Sequence, residues 1–238
     1  MNIIFDMDGV ILDSETVYLN GYLYAGRILG LPEKEIREAV NKCTGCTEEV
    51  EKQVMEEMFG ARPGFRFEDV FRLSRAYFAG IIRNGQIDLK PGARELLIFL
   101  REKGIPAGLA SSSPMEAIEE ELGKGHDLLG YFDAIVSGDM VTHSKPDPEI
   151  FLQCAGKLMI SPEDYKETYV IEDSYNGIRA AAAAGMQPVM IPDRLPPTRE
   201  MKEKASWIFS SLYELKNFLE GETENRPLSP LYPKRSLP

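Results

Sequence analysis

Two rhythms of apolar residues alternate along the chain. Short continuous runs recur at Ile3-Ile4-Phe5, residues 106–110, Ala134-Ile135-Val136, residues 168–171 and residues 188–191. Such runs predict strands buried on both faces. Between them, apolar residues return at helical spacing. Residues 93–103 read as a helix stopped by Gly104, and Ala180 to Ala184 carry another that ends at Gly185. Asp147 and Pro148 read as the N-cap and first turn of a third. Glu119, Glu120 and Glu121 read as the solvated part of the helix after Pro114. Trp207 to Phe209 is a short sixth element, and a last helix is expected around Leu212 to Leu219. This alternation predicts an α/β, Rossmann-like parallel sheet with right-handed crossovers.

The stretch from about 15 to 84 breaks the alternation. Ile36, Ala39, Val40 and Cys43 recur at helix spacing, as do Val50, Val54 and Met58, then Val70, Leu73, Tyr77, Phe78 and Ile81. A helical domain inserted after the first strand is predicted. Gly45 is its expected break and Thr47 its expected N-cap. Asn84-Gly85-Gln86 reads as the linker back to the sheet. The predicted division is residues 1–13 and 88–220 for the α/β core, 14–87 for the helical insertion, and 221–238 for a flexible tail carrying four prolines.

Composition narrows the function classes. The chain has 238 residues, 43 % of them hydrophobic and 27 % charged, as in a soluble globular protein. A net charge of −11 argues against nucleic acid or an anionic membrane as partner. A small phosphorylated ligand remains compatible, given local cations. No apolar run reaches membrane-spanning length and no secretory signal pattern opens the chain, so a cytoplasmic monomer is the expectation. Three cysteines are too few for a disulfide framework. Cys43-Thr44-Gly45-Cys46 has redox-like spacing, but it follows a helix and lacks partners for a zinc site.

The chemistry lies where the apolar runs end. The first ends in Asp6-Met7-Asp8-Gly9, the second in Ser111-Ser112-Ser113-Pro114, and the fourth in Glu172-Asp173-Ser174; Lys145 follows the third. Each alone has a plain structural reading. Serines cap helices, and lysines are mostly solvated. Capping explains their joint placement poorly, because ligands of open parallel sheets bind at the carboxyl ends of the strands. Carboxylates from separate strand ends can hold Mg²⁺, a hard cation that prefers oxygen. A lysine, a serine hydroxyl and backbone N–H groups can bind phosphate oxygens. Together they form a kit for phosphoryl transfer.

These motifs resemble those of the haloacid dehalogenase (HAD) superfamily, and within it the β-phosphoglucomutase-like branch with a helical cap. The matching stretches are Asp6-Met7-Asp8-Gly9-Val10, Leu109-Ala110-Ser111, Lys145-Pro146-Asp147-Pro148, and Ile171-Glu172-Asp173-Ser174 with Asn176-Gly177-Ile178. The resemblance implies that Asp6 is a nucleophile forming an aspartyl phosphate and that Asp8 is the general acid/base. It implies Mg²⁺ held by Asp6, the Asp8 carbonyl, Asp173 and, directly or through water, Glu172. Ser111, the Ser112 N–H and Lys145 would hold the phosphoryl group.

In the cap, the resemblance places Gly45, Cys46 and Thr47 in a substrate loop. Sugar-phosphate mutases of the branch carry an arginine where this chain has Glu48, and a histidine where it has Tyr18. A glutamate would repel the second phosphate of a bisphosphate. The expected function is therefore a Mg²⁺-dependent phosphatase of a small phosphorylated metabolite, with a β-phosphoglucomutase-like phosphomutase as the alternative. A metal-independent haloalkanoate dehalogenase does not need Asp8, Glu172 and Asp173. A non-enzymatic phosphoacceptor such as a receiver domain carries its acceptor on a later strand.

Overall fold

A computed structural model describes residues 1–43, 48–84 and 87–223. The chain divides into two compact units, one of residues 1–13 and 88–238, the other of residues 14–87.

The first unit is built on six strands: β1 (Asn2–Phe5), β2 (Ala107–Ala110), β3 (Ala134–Val136), β4 (Thr168–Glu172), β5 (Gln187–Met190) and β6 (Trp207–Ile208). Their order is β3-β2-β1-β4-β5-β6, and every neighbouring pair is parallel. The first strand by sequence thus lies at the centre. Ile3, Ile4 and Phe5 are wholly buried, which explains why β1 reads as an unbroken apolar run. Phe5 pairs with Leu109 on one side and Ile171 on the other, so the segments after β1, β2 and β4 leave the sheet at one level. That register brings the polar strand ends together.

The helices of this unit follow the strands. They are α5 (Ala93–Glu102), α6 (Met115–Ile118), α7 (Glu149–Lys157), α8 (Tyr175–Ala183), α9 (Arg199–Lys204) and α10 (Leu212–Thr223). A core cluster joins Ile4, Val136, Phe151, Cys154, Val170 and Ala181 from the sheet and from α7 and α8. The Cys154 thiol is buried and pushed up to about 12 by burial, so it is a packing residue.

The second unit holds α1 (Ser14–Ile28), α2 (Glu33–Cys43), α3 (Glu48–Phe59) and α4 (Phe67–Arg83). Tyr22, Ile36, Val40, Met55, Phe59 and Val70 form its core, drawn from all four helices. No helix among the described residues is long and apolar enough to cross a membrane.

Several local expectations shift. The helix read from Asp147 and Pro148 begins at Glu149, so Pro148 rather than Asp147 holds the N-cap position; Asp147, one residue earlier, accepts at Oδ1 from Glu149 N at 2.9 Å. The last helix runs to Thr223, so residues 221–223 are helical rather than tail; the rest of the expected tail, from 224, lies outside the described residues. Gly45 and Thr47, the expected break and N-cap, lie outside them too. Glu121 is buried rather than solvated, because after α6 the helix loosens to a π-type turn over Glu119–Lys124 that carries Glu121 inward.

Candidate active site

β1 delivers Asp6 to the middle of the sheet's carboxyl edge. The Asp6 N–H donates to Ile171 O at 2.9 Å, continuing the ladder to β4 for one more residue. The residue is 7 % exposed. Next to it stands Lys145, whose Nζ donates to Asp6 Oδ1 at 2.6 Å, Glu172 Oε1 at 2.7 Å and Ala110 O at 3.2 Å. The ends of β1, β2 and β4 are therefore joined by one ammonium group.

Glu172 is the last residue of β4 and is wholly buried. Both its oxygens are engaged: Oε1 by Lys145, Oε2 by the Ser174 N–H at 3.0 Å and hydroxyl at 2.9 Å. Ser174 also caps α8, its Oγ accepting from Gly177 N at 3.0 Å. Gly177 is required here for space. A Cβ on it would sit 1.8 Å from the Glu172 carboxyl carbon.

After Asp6 the chain turns tightly. Ile11 and Leu12 donate to Met7 O at 2.8 and 3.0 Å, and Gly9 donates to Leu12 O at 2.9 Å. Gly9 has φ +72°, and a Cβ there would lie 2.3 Å from Asp173 Oδ2. Asp8, half-buried on this turn, accepts from the Ser113 hydroxyl at 2.9 Å. The Ser113 N–H in turn donates to Ser111 Oγ at 3.1 Å. Ser111 is fully buried and Ser112 exposed. Ser112 and Lys145 share the lining of a cavity of about 160 Å³ with Gly138, Thr142 and Ser144.

Electrostatically the cluster is acidic. Burial, with Glu172 and Asp8 nearby, pushes the Asp6 carboxyl up to about 7 against the opposing pull of Lys145. Burial alone would lower the Lys145 ammonium, but Asp6 and Glu172 raise it, so it remains charged. Asp6 and Glu172 thus share one ammonium, with Asp8 and Asp173 close to Asp6. Oxygen atoms of Asp6, Glu172 and Asp173 all lie within 4.8 Å of one another. An all-oxygen donor set with excess negative charge fits a hard divalent cation.

The structure therefore brings together Asp6, Lys145, Glu172 and Asp173, places Asp8 beside them, and sets Ser111 and Ser112 on the adjoining loop. Gly45, Cys46 and Thr47 lie outside the described residues. Sequence reasoning missed Ser113, which holds Asp8; its signal was only its place in a run of three serines. Ser174, whose sequence position also fits a helix cap, is the cap of α8, and with Gly177, a motif residue with no role assigned from the sequence, it supports Glu172.

Comparison with known proteins decides the family. The family model of haloacid dehalogenase-like hydrolases matches residues 1–185.

This chain belongs to that family.

A phosphorylated carbohydrates phosphatase of Thermotoga maritima is 33 % identical over 202 residues, 78 % of this chain and 82 % of that protein. Hexitol phosphatase B of Escherichia coli K12 is 31 % identical over 191 residues, 79 % of this chain and 82 % of that one. Among solved structures, a proposed β-phosphoglucomutase from Thermotoga maritima aligns with TM-score 0.75 and 29 % identity, over 92 % of this chain and 99 % of that chain. HAD-like hydrolases thus match this chain in sequence and in fold.

Proposed function

We propose that this HAD-like hydrolase is a Mg²⁺-dependent phosphatase of small phosphorylated metabolites, sugar or polyol monophosphates among them, working through an aspartyl phosphate on Asp6. The observation that carries the reading is the buried Asp6–Lys145–Glu172 cluster at the centre of the sheet's carboxyl edge, with Asp8 and Asp173 beside it. The names of the two phosphatase relatives support the substrate class.

Asp6 Oδ1 is fixed by Lys145, which orients the carboxylate for in-line attack on phosphorus. Asp8, steadied by Ser113, donates a proton to the leaving oxygen and then takes one from the water that opens the aspartyl phosphate. Ser111, the Ser112 N–H and Lys145 hold the phosphoryl oxygens. Asp6, Asp173 and the Asp8 carbonyl would hold Mg²⁺, with Glu172 reaching it directly or through water. When bound, the cation neutralises charge on the phosphate and the carboxylates. The helical unit serves as the cap, with Gly45, Cys46 and Thr47 as its substrate loop. Glu48, which opens α3, disfavours a second phosphate and so a mutase cycle.

Phosphate release from a panel of sugar, polyol and nucleoside monophosphates, with Mg²⁺ or with EDTA, tests this. Release that needs Mg²⁺ and falls on the order of 10⁴-fold or more in Asp6→Asn is expected. Release unaffected by Asp6→Asn contradicts the reading. Isomerisation of β-glucose 1-phosphate in the presence of a bisphosphate primer, without phosphate release, favours the mutase.

A further inference from the structure

The sheet unit carries a second cavity at its amino edge. There residues 104–106 lead into β2, residues 130–133 lead into β3, and residues 157–159 leave α7. The cluster around Asp6 stands at the opposite, carboxyl edge, so the proposed chemistry does not use this cavity. Its volume is about 380 Å³, within the range of small-molecule sites. Arg101, Ile105, Pro106, Tyr131, Lys157 and Met159 line it.

Charge sets it apart first. The Arg101 guanidinium carbon lies 3.6 Å from the centre of the Tyr131 ring, and Nη2 donates to Gly130 O at 2.5 Å. Lys157 Nζ donates to Ile135 O at 2.8 Å and lies 3.5 Å from Met140 Sδ. Neither cation bonds or pairs with a carboxylate among the described residues. Asp133 also lines the cavity, but its Oδ2 is held by the Ala107 N–H at 3.0 Å. The lining thus carries two positive charges against one negative, in a chain whose net charge is −11. A guanidinium already laid flat on a ring loses little freedom on meeting an anion.

Met159 is the second feature. α7 ends in a Schellman motif, with Met159 N donating to Gly156 O at 3.1 Å and Ile160 N to Ala155 O at 3.0 Å. Glycine is the usual residue at this left-handed position. Here φ is +57° on a methionine that is 90 % exposed. Methionine strains the backbone and leaves an apolar side chain in water, so neither helix termination nor packing accounts for it. A flexible thioether at the rim of a cavity can fold over the apolar part of a ligand.

We propose that this cavity binds a small organic anion with a flat apolar body, its acidic group on Arg101 and Lys157 and its body against Ile105, Pro106 and Met159. Carboxylates, sulfonates and phosphate esters share the chemistry required. Binding there needs neither Asp6 nor a metal, so it stands or falls apart from the phosphatase reading.

Naphthalene-2-sulfonate is the probe, because it has no phosphate to lose. Followed by ¹H–¹⁵N NMR on the whole protein, it is expected to shift amides within residues 104–106, 130–133 and 157–159 saturably. No saturable binding, or shifts confined to the carboxyl edge, overturns the proposal. 2-Naphthol at pH 7 has the same body without the charge and needs no variant. It is expected to bind about tenfold more weakly, the worth of one charge-assisted hydrogen bond, and equal binding overturns the anion site. Lys157→Gln and Arg101→Gln are each expected to weaken the sulfonate about tenfold while phosphate release stays within about twofold. Equal affinity in both variants overturns the part of the cations. 2-Naphthoate and 2-naphthylphosphonate complete the series: binding of either at the same amides supports the site, and the tighter one names its acidic group. Met159→Gly is expected to raise the melting temperature and to weaken the probe about threefold, from the apolar surface no longer covered. Unchanged affinity there overturns the part given to Met159.

Discussion

Glu172 and Glu51 are both buried glutamates, one in each unit, and their surroundings differ. Glu172 ends β4, is wholly buried, and has both oxygens engaged by Lys145 and Ser174. Glu51 lies on α3, is 5 % exposed, and has a buried Oε1 without a hydrogen-bond partner among the described residues. Burial raises it, against the hydrogen bond from Tyr18 and the charge of Arg75. Nearby on α1, the Tyr22 hydroxyl is likewise buried and unpartnered among the described residues. At the carboxyl edge of the sheet, Glu172 is thus locked by a lysine and a helix cap, although Glu121 elsewhere in that unit keeps a buried Oε2 without a hydrogen-bond partner among the described residues. The helical unit tolerates looser polar groups within its core. A locked carboxylate suits chemistry common to a family, whereas a loosely held one can be replaced without dismantling its unit.

The sharpest way to break this contrast is Lys145→Met. It removes the one cation that Asp6 and Glu172 share and leaves both carboxylates buried. Unfolding in urea with EDTA is expected to show a loss of about 3–5 kcal/mol, the cost of orphaning a buried charge pair. A loss under 1 kcal/mol would mean that the cluster is not locked. Gly177→Ala comes next. Its new methyl must displace the Glu172 carboxyl, for an expected cost of about 1–3 kcal/mol and a fall in phosphate release. Retained stability and turnover would show that Glu172 is free to move. The smallest effect belongs to Glu51→Gln, which keeps the shape and an acceptor for Tyr18. A change of about 1 kcal/mol or less is expected in the same urea assay. A loss above 3 kcal/mol would place the helical unit's acid on the same footing as Glu172.

The same contrast explains what could be read from the sequence. Five strands were legible because each is a short apolar run, with a short sixth element at Trp207, and their parallel direction follows from the intervening helices. Asp6, Ser111, Glu172 and Asp173 stood out because a polar residue directly after a buried strand is conspicuous, and Lys145 because its loop follows the third run. What the strand rhythm could not reveal is the second layer of contacts. Ser113 reaches Asp8 across 105 positions of sequence, and no local pattern announces such a bond. Glu121 sits in an acidic run that reads as solvated, and only the switch from α to π turn carries it inside. In the helical unit, Glu51 and Tyr22 follow helix spacing like their apolar neighbours, so their polarity was hidden within the periodicity.

The most direct measurement traps the phosphoryl group itself. Enzyme mixed with a phosphorylated substrate and Mg²⁺ is quenched within one turnover, reduced with borohydride, and digested for mass spectrometry. Reduction converts an aspartyl phosphate to homoserine at the residue that carried it. The account predicts homoserine at position 6, and none when substrate is omitted. Turnover with the label at another residue, or with no label at any residue, contradicts it.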